Sequence, residues 1–391
     1  MDGRFNKDYG QVRNQLMKLK LKRLFTKLFW IFPINKNKIF FTSYEGKQYS
    51  CNPKAIYEKI LSLGERYVFV WEYNKNQIPE KVKVHAKVVK HNSLKYFMQL
   101  STSQYIITNS GISASISLRK SQMCVNTWHG GGAYKKVGIA TDEKINGSTY
   151  EELKIMADHT TYFLSSSTIF TEIMSVSTLV PKTRFLNIGM PRNDIFFDPI
   201  KCQEKKEVVY KSFGILNDHK LVLIAPTYRG NSGSDSYLTE IPDISRLYKA
   251  LHIRFGGKWT VLYRSHYYKK VKETFNKVLD ASSYPDMQEL LCACDVLITD
   301  YSSSIWDYSL LGKPCFLFVP DLREYLDERG GFYSDIETWP GYVSMDNNEL
   351  EENIINFDCD EYKKKIKYHH DMLGSFEKGN ASLKLLEILK I

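Results

Sequence analysis

No acidic residue occurs between Tyr9 and Tyr44, and no Cys-x-x-Cys pair, Cys/His zinc spacing, internal repeat or low-complexity tract occurs in the 391 residues. Without such cysteine spacings a zinc ribbon or a dithiol redox site is not expected. The seven cysteines (Cys51, Cys124, Cys202, Cys292, Cys294, Cys315 and Cys359) suggest no disulfide framework either. Cys292 and Cys294, two apart, would face different directions on a helix. All seven read as reduced, mostly buried thiols of a cytoplasmic protein. The apolar run Leu28 to Ile34 contains Pro33 and falls far short of the ~20 residues that span a bilayer. No small-residue cleavage site follows it, so no secretory leader is expected. Gly130-Gly131-Gly132 lacks the G-x-G-x-x-G spacing of a dinucleotide site.

What is present is globular. Hydrophobic residues make up 43% and aromatics 14%, and the length suits two domains rather than one. The net charge of +10 is unevenly placed. Eight bases (Arg13, Lys18, Lys20, Lys22, Arg23, Lys27, Lys36 and Lys38) fall in the acid-free stretch, while residues 1–8 cancel. Met17, Leu21, Leu24, Leu28 and Ile31 recur there at helical spacing, with Lys20, Arg23 and Lys27 on another face and Phe25, Phe29, Trp30 and Phe32 nearby. A basic amphipathic helix with aromatics is expected to lie on an anionic membrane surface. The alternative is a helix packed on its own domain with solvated lysines. Nucleic acid is not expected as a partner, because nothing after Tyr44 continues a basic stripe.

Beyond this segment, short apolar runs alternate with helical stretches. Strands are expected at Lys38–Ser43, Tyr67–Trp71, Val82–Lys90, Tyr105–Thr108, Cys124–Trp128, Tyr162–Leu164 and Arg184–Ile188, with a helix over Asn52–Leu63. Pro191, Pro199 and the charged stretch Lys201–Lys211 read as an interdomain connection. A second alternation follows at Leu221–Ala225, Trp259–Tyr263, Val296–Thr299 and Cys315–Val319. The expected architecture is therefore α/β, with two Rossmann-like parallel-sheet domains facing a central cleft. Its expected divisions are a basic segment over 1–35, an N-terminal domain over 36–200 and a C-terminal domain over 201–391.

Polar residues gather at the ends of these strands. His129, Gly130 and Gly131 follow Cys124–Trp128; Arg229 follows Leu221–Ala225; Arg264 and His266 follow Trp259–Tyr263. After Val296–Thr299 come Asp300, Ser302, Ser303 and Ser304, where a helix is expected to begin. Free N–H groups and serine hydroxyls at such a turn suit a phosphate or diphosphate. The plainer reading is that Asp300 or Ser302 caps the helix. Convergence of His129, Arg229, Arg264, His266 and the Ser302–Ser304 turn favours a phosphate-handling site.

Trp128-His129-Gly130, Gly189 to Asp194, Ala225 to Arg229, Arg264-Ser265-His266, Thr299 to Ser303, Asp307 to Leu311, Pro320 to Tyr325 and Gly331 to Tyr333 occur in that order. Together they resemble the CDP-glycerol glycerophosphotransferase family, which includes primases and polymerases of wall teichoic acid and related capsule-type polymers. The chain departs from the usual family pattern at Gly131-Gly132-Ala133 and at Ser265 and Tyr267. The resemblance implies a GT-B-like fold and transfer of glycerol phosphate from CDP-glycerol to a hydroxyl of a lipid-linked (polyprenyl diphosphate) saccharide acceptor, releasing CMP. It makes His129 and His266 the catalytic pair, with His129 as general base. It matches Ser302, Ser303 and Arg329 to the region that binds the diphosphate. Arg229, Arg264, Asp300 and Ser304 are expected beside them on the donor, and Gly130, Gly131, Lys135 and Arg192 at the acceptor or in an adjoining loop. No metal site or required cofactor is expected, though Mg²⁺ carried by the diphosphate is compatible with the chemistry. The implied location is peripheral, on the cytoplasmic side of the membrane. The length suits a primase-like or minimal enzyme. A CDP-ribitol-using homologue and a GT-B glycosyltransferase using a nucleotide sugar remain alternatives.

Overall fold

Apolar runs too short for helices and punctuated by polar turns become parallel strands when helices cover both faces of the sheet. The computed structural model describes residues 2–64, 66–74, 78–141, 147–227, 240–265 and 278–391. These divide into two compact units.

Unit 1 comprises Met1–His129, Val137–Arg192 and Phe376–Ile391. Its strands are β1 (Asn35–Thr42), β2 (Val68–Tyr73), β3 (Ala86–Lys90), β4 (Ser103–Thr108), β5 (Met123–Asn126), β6 (Tyr162–Ser165) and β7 (Phe185–Asn187). They pair in the order β3-β2-β1-β4-β5-β6-β7, all parallel. The order reverses between β1 and β4, which opens a crevice beyond their carboxyl ends, where ligands of such sheets bind. Its helices are α1 (Asp2–Lys27), α2 (Cys51–Ser62), α3 (Glu80–His85), α4 (Leu94–Ser101), α5 (Gly147–His159) and α6 (Thr168–Ser177).

Unit 2 comprises Gly130–Lys136 and Asn193–Ser375. Its strands are β8 (His219–Ala225), β9 (Lys258–Tyr263), β10 (Val278–Asp280), β11 (Val296–Thr299), β12 (Cys315–Phe318) and β13 (Tyr342–Ser344), in the order β10-β9-β8-β11-β12-β13. Here the order reverses between β8 and β11. Every side chain of Leu221–Ala225, Val296–Thr299 and Cys315–Phe318 is buried, as a sheet covered on both faces requires. The helices are α7 (Pro199–Phe213), α8 (Ile244–Phe255), α9 (Met287–Ala293), α10 (Ser304–Ser309), α11 (Leu322–Arg329), α12 (Asn347–Ile355) and α13 (Cys359–Leu373). After α13 the chain returns to unit 1 and ends in α14 (Ala381–Leu389).

The two parallel sheets are as expected, but several segments differ. Lys201–Lys211 is the body of α7 rather than a connection. Asp198 accepts from the Lys201 N–H, Pro199 occupies the first turn and Gly214, at φ +62°, ends the helix, so its charges are a solvent face over buried Val209 and Tyr210. The Val82–Lys90 strand begins only at Ala86, because Pro79 starts a short helix whose Val82 N–H bonds back to the Pro79 carbonyl. The units also differ from the 36–200 and 201–391 division, and the main break falls between Arg192 and Asn193. Gly130–Lys136 packs within unit 2, and the C-terminal tail packs within unit 1, where Leu385, Leu386 and Leu389 are buried. All seven cysteines are unpaired.

α1 docks through the face of Leu19, Arg23 and Thr26, and Phe25 beside it meets the Phe97 ring edge-on at 5.6 Å. Leu19 and Thr26 are buried, and Arg23 donates to the Ala114 and Ile116 carbonyls at 2.8 and 3.1 Å. The stripe Met17, Leu21, Leu24, Leu28 and Ile31 points to solvent, with Leu24 61% and Ile31 80% exposed. Among the described residues, no helix is long and apolar enough to cross a membrane.

Candidate active site

The carboxyl ends of β1, β4 and β5 bring Tyr44, Asn109 and His129 together in unit 1. Thr127 continues β5 by two bonds to the Thr108 carbonyl, from its N–H at 2.7 Å and its Oγ1 at 3.0 Å. Trp128 then turns the chain at φ +52°, a left-handed conformation that a bulky residue rarely adopts. Its N–H is held at 3.0 Å by the Asn126 side chain, and its indole stacks on the His129 ring at 4.7 Å and 24°. The Tyr44 ring lies 5.5 Å from the same imidazole, and the Tyr44 N–H donates to the Asn109 side chain at 2.8 Å.

His129 Nδ1 is 2.7 Å from the Asn109 carbonyl. A carbonyl oxygen only accepts, so Nδ1 carries the ring proton and Nε2 keeps the basic lone pair. Burial lowers the His129 pKa from its ordinary value, the Asn109 carbonyl opposes that shift, and the Arg192 cation adds to it. The ring is therefore a neutral base at pH 7.

Arg192, expected at the acceptor or in a loop, is buried. Its Nη1 donates to the His129 carbonyl at 2.5 Å and to Cys51 Sγ at 3.3 Å. It shapes the histidine's backbone rather than offering its charge to solvent.

Gly130 to Lys136 belong to unit 2. A Cβ on Gly131 would sit 2.1 Å from Trp306 Cδ1, so this glycine permits close packing against an indole instead of leaving backbone open to a ligand. Tyr134 donates its hydroxyl to His369 Nε2 at 3.0 Å, the His369 Nδ1–H facing the Thr338 carbonyl, and packs 4.4 Å from the Trp339 ring. Lys135 bridges to Phe332 and holds its ammonium 5.6 Å from the Tyr325 ring.

Of the expected donor-side residues, Asp300 and Ser302 to Ser304 follow β11 at the β8/β11 switch point. Asp300 is 1% exposed, and both its oxygens accept from the Thr227 N–H at 2.9 Å. That carboxylate ties the ends of β8 and β11 together and repels rather than attracts a phosphate. Its place is structural support beneath the turn. Ser302 Oγ accepts from the Ser304 N–H at 3.2 Å and lies 2.9 Å from Ser304 Oγ, while Ser303 precedes α10. Ser302 thus takes the first helical N–H, while Ser303 at the N-cap makes no side-chain cap bond, and α10 is only six residues long. Arg264 donates through Nη1 to the Tyr284 carbonyl at 2.8 Å, fixing the loop before α9. Arg329 is the last residue of α11. Arg229 and His266 lie outside the described residues. Tyr301, one position before Ser302, stacks on Tyr325 at 3.9 Å and lies 5.5 Å from Phe332. Phe332 lines a pocket of about 360 Å³ together with Leu322, Leu326, Tyr333, Ser334, Asp335 and Ile336. Among the described residues no cluster of three metal-ligating side chains exists.

Sequence reasoning missed Tyr44, Asn52 and Asn109. Asn52 sits inside a correctly expected helix and Asn109 just past a strand; neither stands in a motif, and each acts on residues distant in sequence.

Residues 24–390 match the sequence model of the family described as CDP-Glycerol:Poly(glycerophosphate) glycerophosphotransferase. A teichoic acid poly(glycerol phosphate) polymerase of Bacillus spizizenii is 30% identical over 392 residues, covering 96% of this chain and 98% of that protein. A protein of the same name from Staphylococcus epidermidis is 30% identical over 366 residues, covering 89% of this chain. The match takes in only 50% of that staphylococcal relative, about half its length. A solved structure of the wall teichoic acid polymerase TagF, a histidine-to-asparagine variant soaked with CDPG, aligns with a TM-score of 0.81 at 26% identity. That alignment covers 98% of this chain and 97% of the TagF chain.

Proposed function

The chain belongs to the CDP-glycerol:poly(glycerophosphate) glycerophosphotransferase family, and on that premise we propose that it transfers glycerol phosphate from CDP-glycerol to a hydroxyl of a lipid-linked acceptor in teichoic acid synthesis. The observation that carries this reading is His129, neutral, with Nδ1 occupied by the Asn109 carbonyl and Nε2 basic.

An acceptor alcohol is a poor nucleophile at neutral pH. Nε2 of His129 takes its proton as the oxygen attacks the β-phosphorus of CDP-glycerol. The new P–O bond forms as the bond to the α-phosphate oxygen breaks, and CMP leaves with that electron pair. Charge spreads over the phosphoryl oxygens in the transition state, so positioned N–H and cationic donors supply most of the remaining stabilisation. Unit 2 carries that task in this reading: the Ser302–Ser304 turn, braced by Asp300, receives the diphosphate. Arg229, Arg264, Arg329 and His266 are assigned to it by their motifs.

The exposed stripe of α1 and its solvent-facing Lys18, Lys20, Lys22 and Lys27 suit a peripheral position on an anionic leaflet, where a lipid-linked acceptor would be met. Each such lysine is worth about 1 kcal/mol at an anionic surface and less as salt rises.

CMP formation from CDP-glycerol, measured with a lipid-linked glycerol phosphate acceptor, tests the reaction. His129→Ala is expected to lower the rate ~100-fold or more. Equal turnover of CDP-ribitol would change the donor assignment, and release of a nucleotide from a nucleotide sugar would change the reaction class.

A further inference from the structure

Three consecutive carbonyls lead up to the imidazole, and one buried carboxamide organises all three. Asn52 is 0% exposed at the start of α2, just after Cys51, which turns the chain at φ +64°. Its Nδ2 donates to the Thr127 carbonyl at 3.1 Å and to the Trp128 carbonyl at 3.0 Å. Its Oδ1 accepts from the Arg192 N–H at 3.0 Å. Arg192, seated this way, spends Nη1 on the third carbonyl, that of His129.

We propose that Asn52 is the positioning residue of the site: it holds Trp128 in its left-handed turn, so that the His129 ring lies under the indole with Nδ1 on the Asn109 carbonyl. The proposal deepens the reading of His129 as general base and rests on it for its effect on rate. A tryptophan at positive φ relaxes toward the ordinary negative-φ regions unless its neighbours over-determine it. Here the determinants are the Trp128 carbonyl, which accepts from Asn52 Nδ2 at 3.0 Å and more distantly from Thr127 Oγ1 at 3.2 Å, and the Trp128 N–H on Asn126. Without the carboxamide the turn loses one anchor and the Arg192 backbone loses its acceptor. Rotation at Trp128 then carries the imidazole off the Asn109 carbonyl. Both ring tautomers become accessible, and Nε2 no longer presents a fixed lone pair to the acceptor hydroxyl. Donor binding at the unit 2 turn uses none of these contacts, so the loss falls on the chemical step.

The test is the pair Asn52→Asp and Asn52→Ser in the full chain, with fold checked by circular dichroism. Asp keeps the acceptor for Arg192 and removes both donors; Ser avoids a buried charge and serves should Asp fail to fold. The expected result is a fall in kcat of about ten- to a hundredfold, the usual scale for a misplaced catalytic group. KM for CDP-glycerol should stay within about twofold, since only the transition state loses an interaction. In ¹⁵N-histidine spectra, with the signal assigned through His129→Ala, the Nδ1–H tautomer should give way to a mixture. Unchanged kcat, or an undisturbed Nδ1–H signal in a folded variant, overturns the proposal. Wild-type turnover by His129→Ala sinks the base assignment instead and leaves the tautomer readout to decide the role of Asn52.

Discussion

A histidine serves as general base only while it is uncharged, and the burial of His129 keeps it so by lowering its pKa. The sign of the pH dependence follows. The base form is lost as pH falls through the depressed pKa, so the acid limb of kcat/KM should lie below the ordinary histidine value. An acid limb at or above the usual histidine pKa, absent in His129→Ala, would contradict the desolvated environment described for the ring. Asp300 supports the turn in another way. In the proposed function an acid beside the diphosphate is unfavourable on charge alone, yet both its oxygens accept from the Thr227 N–H, and what it supplies is the shape of the β8/β11 switch point. Burying that N–H without a partner would cost about 1–3 kcal/mol.

At the level of elements, α1 carries the clearest prediction. Its stripe Met17, Leu21 and Leu24 is exposed on a helix already fastened by Leu19, Arg23 and Thr26, so those three side chains contribute little to folding. Replacing them with serine is expected to leave the thermal midpoint near that of the parent and to abolish flotation with phosphatidylserine vesicles. Binding unaffected by the substitutions would mean that the stripe has another use. The same scale shows what the residue order reveals. Strands buried on both faces were legible because Val296–Thr299 and Cys315–Phe318 are unbroken apolar runs between turn residues. α7 was not, since its prolines and charges look like a linker until Asp198 and Gly214 are seen as caps. The Val82, Val84, Ala86 alternation resembles a strand, but Pro79 imposes a helical turn first. In the candidate site, His129 stands out in the sequence by its place between a strand and glycines. Asn52 does not, because its bonds reach carbonyls 75 and 76 residues away.

Across the whole molecule, the path of the chain decides which parts stand or fall together. The last 16 residues, 376–391, belong with unit 1 although they follow unit 2 in sequence. Phe376 N–H bonds to the Ser166 carbonyl at 2.8 Å, Glu377 accepts from the Met190 N–H at 3.1 Å, and Tyr105 donates to the Leu389 carbonyl at 3.3 Å. Leu385, Leu386 and Leu389 are buried there, worth about 5 kcal/mol in transfer free energy alone. A chain ending at Ser375 should therefore loosen unit 1 selectively. Hydrogen exchange is expected to quicken in β4 to β7 while β8, β11 and β12 keep their protection. Because Met190 lies two residues before Arg192, the truncation also removes a support of the loop that Asn52 and Arg192 build around His129. Turnover should fall more than donor affinity, which the proposed function assigns to unit 2. Uniform exchange across both sheets would show instead that the two units unfold as one, and the tail would then be no more a part of one unit than of the other.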